Sequence, residues 1–178
     1  MKLRLNDKSI VKAALLAAAF CVQPTAACDT VICFTKHGDW DVTVTPRGAF
    51  ASTPSPQGGR AIYACGASGA ISCAWGIVMP GMDCEIDSEM VVAFRYGENS
   101  HLFPALCAPS GTTSGRTMYL TGESAPQTKI FFSNEVTATA YGSSGKSFTH
   151  TFSSNGASAA ILFAHEEFAL FKAQNAKP

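Results

Sequence analysis

The stretch Ala140 to Ser147, "AYGSSGKS", has the residue types of a phosphate-binding loop. It fits the loose pattern A/G-x-x-x-x-G-K-S/T. In such a loop the glycines let backbone N–H groups wrap the phosphates. The lysine reaches the terminal phosphates, and the last hydroxyl holds magnesium. That chemistry needs a strand before the loop and a helix after it, because the helix N-terminus supplies part of the site. "EVTATA" before the loop reads as a strand, but "SFTHTFSS" after it does not start a helix. Phe148, His150 and Phe152 alternate there with Thr149, Thr151 and Ser153, which is the period of a strand. The stretch therefore reads as a Gly-Ser-Ser-Gly hairpin turn between two strands. No nucleotide and no cofactor is implied.

Other chemistry-bearing clusters are incomplete. "HEEF" (165–168) opens like the zinc motif H-E-x-x-H, but Ala169 stands where the second histidine must be. "DCEID" (83–87) sets Asp83, Glu85 and Asp87 on one side of an extended segment. Three carboxylates can bind calcium, yet the glycine and the terminal bidentate glutamate of a dedicated loop are missing. A solvated strand face or rim is the simpler reading. "GASG" (66–69) is not G-x-S-x-G, and no strand-to-helix elbow surrounds it. His37, His101, His150 and His165 each lack an evident acid–nucleophile context. No catalytic residue and no metal ligand is assigned, although a triad can be assembled from distant residues.

The cysteines point to compartment rather than to catalysis. The N-terminus carries Lys2, Arg4, Lys8 and Lys12, then ten apolar residues from Ala13 to Val22, then "PTAA" before Cys28. This is the three-part layout of a secretory signal peptide (1–27), with cleavage expected after Ala27. Ten apolar residues span only about 15 Å as a helix, half a bilayer core, so no transmembrane segment is expected there. Beyond it, Cys28, Cys33, Cys65, Cys73, Cys84 and Cys107 remain. Six cysteines in an exported domain suggest up to three disulfides, and sequence leaves fifteen connectivities open. Local closure of hairpins favours Cys84 with Cys107, Cys65 with Cys73, and Cys28 with Cys33. A zinc site is disfavoured, since there is no C-x-x-C. "TAAC" also loosely resembles a lipoprotein cleavage box, which would lipidate Cys28. Thr25 replaces the usual aliphatic residue, and five cysteines would be left, so the free periplasmic form is preferred over a lipid-anchored or outer-membrane-associated one.

The elements that must position these residues form one domain, residues 28–178. Without residues 1–27 the chain loses four of its 13 basic and one of its 13 acidic side chains, leaving 9 against 12. The remaining cations are scattered, which gives no electrostatic footprint for nucleic acid or anionic lipid. Strand-period runs recur: 40–45, 61–65, 71–79, 90–96, 101–107, 117–122, 129–132, 135–141 and 147–152. Segment 46–60, rich in Pro, Gly and Ser, reads as a long exposed loop, and 108–116 as a second. The period then changes. Residues 157–174 carry Ala157, Ala160, Ile161, Ala164, Phe168 and Phe171 on a helical stripe, with Ser153, Ser154 or Asn155 as a cap. The expected fold is mainly β: a disulfide-stapled antiparallel sandwich or barrel-like domain with one C-terminal helix.

Several pieces in order resemble the invasion-associated locus B family of exported bacterial proteins. They are "GDW" with its alternating valines (38–44), "GIVMPG" (76–81), "MVVAFRYG…LFPALC" (90–107) and "VTATAYGSSGKSFTHTFSSNGASAA" (136–160). The most specific residues are Trp40 and the closing F-S-x-x-G-x-x-A-A pattern at Phe152, Ser153, Gly156, Ala159 and Ala160. The family usually carries a cysteine soon after the tryptophan strand, whereas Cys33 here precedes Trp40. The resemblance implies a periplasmic or outer-membrane-associated β-sandwich with no assigned catalytic residues. Some members are linked to host-cell invasion. The functional expectation is a non-enzymatic binding protein that works through loops 46–60 and 108–116 on an envelope or host partner. A small periplasmic hydrolase or protein inhibitor with a dispersed site is the alternative.

Overall fold

Alternation of buried and exposed side chains sets the architecture. In β2 (Trp40–Thr45), Trp40, Val42 and Val44 are buried while Asp41 is exposed. The same period runs through β1 (Cys33–His37), β3 (Gly48–Pro54), β9 (Glu135–Tyr141) and β10 (Ser147–Ser153). β4 (Arg60–Ala67), β5 (Ile71–Met79), β6 (Glu89–Tyr96), β7 (Asn99–Pro109) and β8 (Arg116–Leu120) complete ten strands. The structure, a computed structural model, describes residues 33–67, 71–110, 115–121 and 134–175. Cys28, the leader and the expected 129–132 strand lie outside those residues.

All pairings are antiparallel, in one sheet of order β1-β2-β3-β4-β5-β8-β7-β6-β9-β10. The chain meanders through β1 to β5, skips two places to β6, returns through β7 and β8 to pair with β5, and then crosses to β9 beside β6. The inward faces of β2 to β10 share one core. Trp40 meets Trp75 edge-on at 6.1 Å, as does Phe94 with Phe103 at 5.3 Å, the arrangement that ring quadrupoles favour.

One helix, α1 (Ala157–Asn175), follows β10 and packs against β2 and β3. Its buried stripe is Ala157, Ala160, Ile161, Ala164 and Phe168, as the sequence period predicts. Facing it, Ala49 and Ala51 of β3 are small and fully buried, so the helix can approach the sheet. Burial of Phe168 contributes about 1.5–3 kcal/mol. The helix start is closed through the backbone: Ala157 N–H donates to the Ser154 carbonyl (3.0 Å). The Ser153 hydroxyl instead accepts the Asn155 N–H (3.2 Å).

Two disulfides whose four cysteines all lie among the described residues staple the sheet. Cys65 and Cys73 are direct cross-strand partners on β4 and β5. Cys84–Cys107 ties the β5–β6 connection to β7, beside backbone bonds from Asp87 N to Cys107 O (2.8 Å) and Cys107 N to Ser88 O (3.0 Å). Both are pairings that local closure favoured.

Three expectations need correction. Segment 46–60 is not one long loop, since Gly48–Pro54 is β3 and Arg60 opens β4. Ala49, Ala51 and Thr53 point inward, and their small or polar side chains hid the period. The true loop is 55–59, closed by Ser55 N–H to Gly59 O and Gly58 N–H to Ser55 O (both 2.9 Å). Likewise β7 runs to Pro109 and β8 begins at Arg116, which shortens the second loop. "DCEID" is no strand either: it lies in the turns of the β5–β6 connection, with Asp87 at φ 65°.

Candidate functional site

The Gly-Ser-Ser-Gly stretch is the β9–β10 hairpin turn. Tyr141 pairs with Ser147, and the Gly142 N–H donates to the Lys146 carbonyl (2.9 Å). The turn does hold an anion, but one from its own chain. The Ser144 N–H donates to Asp83 Oδ2 (3.2 Å). The Ser144 hydroxyl, then its backbone N–H and the nearby Lys146 charge, keep the Asp83 carboxyl below its ordinary range, against a partial desolvation. Lys146 also lies over the Phe148 ring, 5.1 Å from its centroid. Asp83 is thereby drawn away from Glu85 and Asp87, and no group of three His, Cys, Asp or Glu able to hold a metal exists among the described residues.

The histidines do not converge. His165 is exposed on α1, and His101 stacks on Tyr96 at 5.5 Å. His37 rests against Phe163 at 5.2 Å. His150 points into the core, where its Nδ1 lies 3.4 Å from Ser55 Oγ. Both residues are buried, and burial lowers the His150 pKa. The Ser55 hydroxyl also bonds the Gln57 side-chain oxygen, and that oxygen accepts the Thr151 N–H (3.1 Å). The group stitches β10 to the 55–59 turn. Gly59 must be glycine there, because a Cβ would press on the His150 ring and the Val78 carbonyl.

The residues of the resemblance meet at one place. The sheet curls until β10 reaches the start of β2, yet β1 and β10 share no ladder, which leaves a seam. The Trp40 indole N–H donates to the Ser153 carbonyl (2.9 Å). The Ser153 hydroxyl donates to Asp39 Oδ2 (2.6 Å), and Asp39 N–H donates to the Asn155 carbonyl (3.0 Å). Gly38 (φ 57°) and Gly156 (φ 84°) face each other across this junction. A Cβ on either would overlap the backbone of Asn155 or His37. Thus "GDW" and F-S-x-x-G, 113 residues apart at Trp40 and Ser153, form one closure. Phe152 and Ala160 are buried behind it, whereas Ala159 is exposed on α1 and takes no part.

Beside the closure the seam stays open as a cleft of about 330 Å³. Lys36, Asp39 and Asp41 of the β1–β2 hairpin line one side, and Glu135 with Thr151 to Ser153 the other. Thr53, Pro54 and Pro56 at the end of β3 also line it. Thr53 is 1% exposed, and its Oγ1 has no hydrogen-bond partner. A buried hydroxyl left so costs about 1–3 kcal/mol. Lys36 Nζ is 4.0 Å from Asp41 Oδ1, with both groups largely in solvent. The sequence could not mark this cleft, because its residues come from separate strands and one of those strands reads as a loop.

No family model matches the chain, and no curated protein matches it. Among solved structures, the crystal structure of invasion associated protein B from Bartonella henselae is similar, with a TM-score of 0.53. The alignment covers 79% of this chain and 99% of that one, at 11% identity. The likeness shows a shared fold, in agreement with the motif resemblance. No helix among the described residues is long and apolar enough to cross a membrane.

Proposed function

We propose that this is an exported protein of the bacterial envelope that acts by binding, not by catalysis. The observation that carries the reading is the seam cleft: a concavity lined by polar and charged side chains, beside the Trp40–Ser153 and Asp39–Asn155 bonds that close the sheet. Cleft size and a few convergent polar groups are ordinary properties of a binding site. Export is supported by the two disulfides, which persist in oxidising compartments, by the leader-like residues 1–27 and by the fold shared with an invasion associated protein. Ser55–His150 is the hydroxyl–imidazole contact that the described residues offer to a hydrolase. That pair is buried from substrate, and the hydrogen bond described for the His150 ring goes to Ser55 and not to an orienting carboxylate. No partner identity follows from the fold.

Two measurements test this reading on the full chain expressed in a Gram-negative host. Intact mass of the envelope fraction should show cleavage after Ala27, with thiols alkylated only after reduction. A photo-crosslinker at Lys36 should capture an envelope or host component. Retained leader with freely alkylated thiols would overturn export. Hydrolytic turnover abolished by Ser55→Ala would overturn binding in favour of the enzyme.

A further inference from the structure

We propose that the outer face of β4, β5, β8 and β7 is a two-fold interface, and that its occupant is a second copy of this chain. The groove in this face shares no residue with the seam cleft. Residues that point away from the core on these strands form one cross-strand row, Ile62, Gly76, Tyr119 and Leu106. Beside that row stand Phe50 of β3, Leu102 of β7 and Val91 of β6. Phe50, Tyr119, Leu106, Val91 and Leu102 are large apolar side chains, yet they are between 38% and 71% exposed. At about 200 Å² for a whole large side chain, these five present roughly 500 Å² to solvent. That is at the upper end of the largest apolar patch on a monomer, about 300–600 Å². The uncharged Ile62, Pro104 and Thr117 bring the face toward the roughly 800 Å² that each partner gives to a standard interface.

Area alone would not name the occupant; the strand order does. An isologous interface must fit itself, so that residue i meets j and j meets i. The order β4-β5-β8-β7-β6 is symmetric about β8. A two-fold axis along β8 therefore sets β5 on β7 and β4 on β6. Gly76 of β5 brings no side chain, and a groove of about 180 Å³ opens there, lined by Ile62, Val78 and Tyr119. Leu106 of β7 lies on the same row, so each copy sets a leucine over the groove of the other. Arg60 opens β4 and Glu89 opens β6, both are exposed, and the two strands run the same way. The Arg60 guanidinium lies on this outer face, where it donates to Ser52 Oγ (3.0 Å). Within one chain these strands are four places apart, about 19 Å at ordinary spacing, so an Arg60–Glu89 pair forms only between copies. A lipid surface would match the apolar centre but not a border that carries both signs.

Sedimentation velocity of the folded mature protein at low salt, from low to high micromolar concentration, tests the proposal. Low salt is chosen because screening weakens exposed charge pairs. The protein should pass from monomer to dimer as concentration rises. Leu106→Asp should weaken dimerisation at least about tenfold, since each substitution counts twice across a two-fold axis. Circular dichroism checks that this variant is folded. Arg60→Glu and Glu89→Arg should each weaken the dimer several-fold, and the two together should restore it to within about twofold of the wild type. These reversals lie in solvent on strand ends and keep the test open if Leu106→Asp fails to fold. A monomer at every concentration would overturn the proposal. So would a dimer that ignores Leu106→Asp and the charge reversals alike. Flotation of the monomer with neutral phosphatidylcholine vesicles, abolished by Leu106→Asp, would overturn it too and assign the face to lipid. Each of these results would leave the binding reading of the seam cleft standing, because the cleft is built from other residues.

Discussion

Gly38 and Gly156 do more for this fold than any charged pair seen in it. Each sits at positive φ, and each leaves room for the other's backbone where the β1–β2 turn docks on the β10–α1 junction. An alanine at Gly156 meets two penalties: a left-handed backbone, costing about 1–2 kcal/mol, and overlap with the His37 carbonyl. We expect Gly156→Ala to destabilise by at least about 2 kcal/mol. Gly66 is the control, because a Cβ there meets nothing within 4 Å. Gly66→Ala should change stability by less than about 0.5 kcal/mol. Urea unfolding of both variants decides the matter, and equal midpoints would show that the docking carries no weight. These glycines were legible only as letters in a motif. Their physical reason required the two ends of the chain to be seen together.

At the scale of elements, each disulfide closes a loop of different length. Cys65–Cys73 spans 8 residues between adjacent strands already held by backbone bonds. Cys84–Cys107 spans 23 and fixes the β5–β6 connection, which lies outside the strands. Loop-closure entropy then gives about 2.5 kcal/mol for the first and about 3.4 kcal/mol for the second. Replacing Cys84 and Cys107 together by serine should lower the urea midpoint more than replacing Cys65 and Cys73. The opposite order would show that native geometry, not loop length, governs. Pairings were legible because the cysteines flank hairpins. Strands β9 and β10 and helix α1 were legible too, through β-branched or aromatic alternation and an alanine-phenylalanine stripe. β3 was not, because "GAFASTP" carries its inward face on two alanines and a threonine. Such a face is too weakly apolar to register as a strand, and it is small because a helix covers it. The cleft went unread for the same reason, since its floor is the end of that strand.

The whole molecule is a sheet closed by side chains and turns where a ladder would close a barrel, and we expect that closure to be sensitive to acid. His150 lies inside it, among Ser55, Gly59 and the Phe152 ring 6.3 Å away. Burial favours its neutral form, so its pKa in the fold lies below 6.5, its ordinary value. Stability follows from the difference in bound protons. Above pH 6.5 neither state is protonated at this residue, and the fold keeps the full benefit. As pH falls below 6.5 the unfolded chain takes the proton first, so stability declines until pH passes the depressed folded value. Below that point both states are protonated and His150 adds no further slope. His150→Gln removes this titration while costing packing at every pH. The wild-type urea midpoint should therefore fall more steeply than the variant's between pH 7 and pH 5, in about the range where a histidine titrates. Parallel profiles would show that His150 is hydrated in the fold, and that the seam is looser around β10 than its hydrogen bonds to the 55–59 turn require.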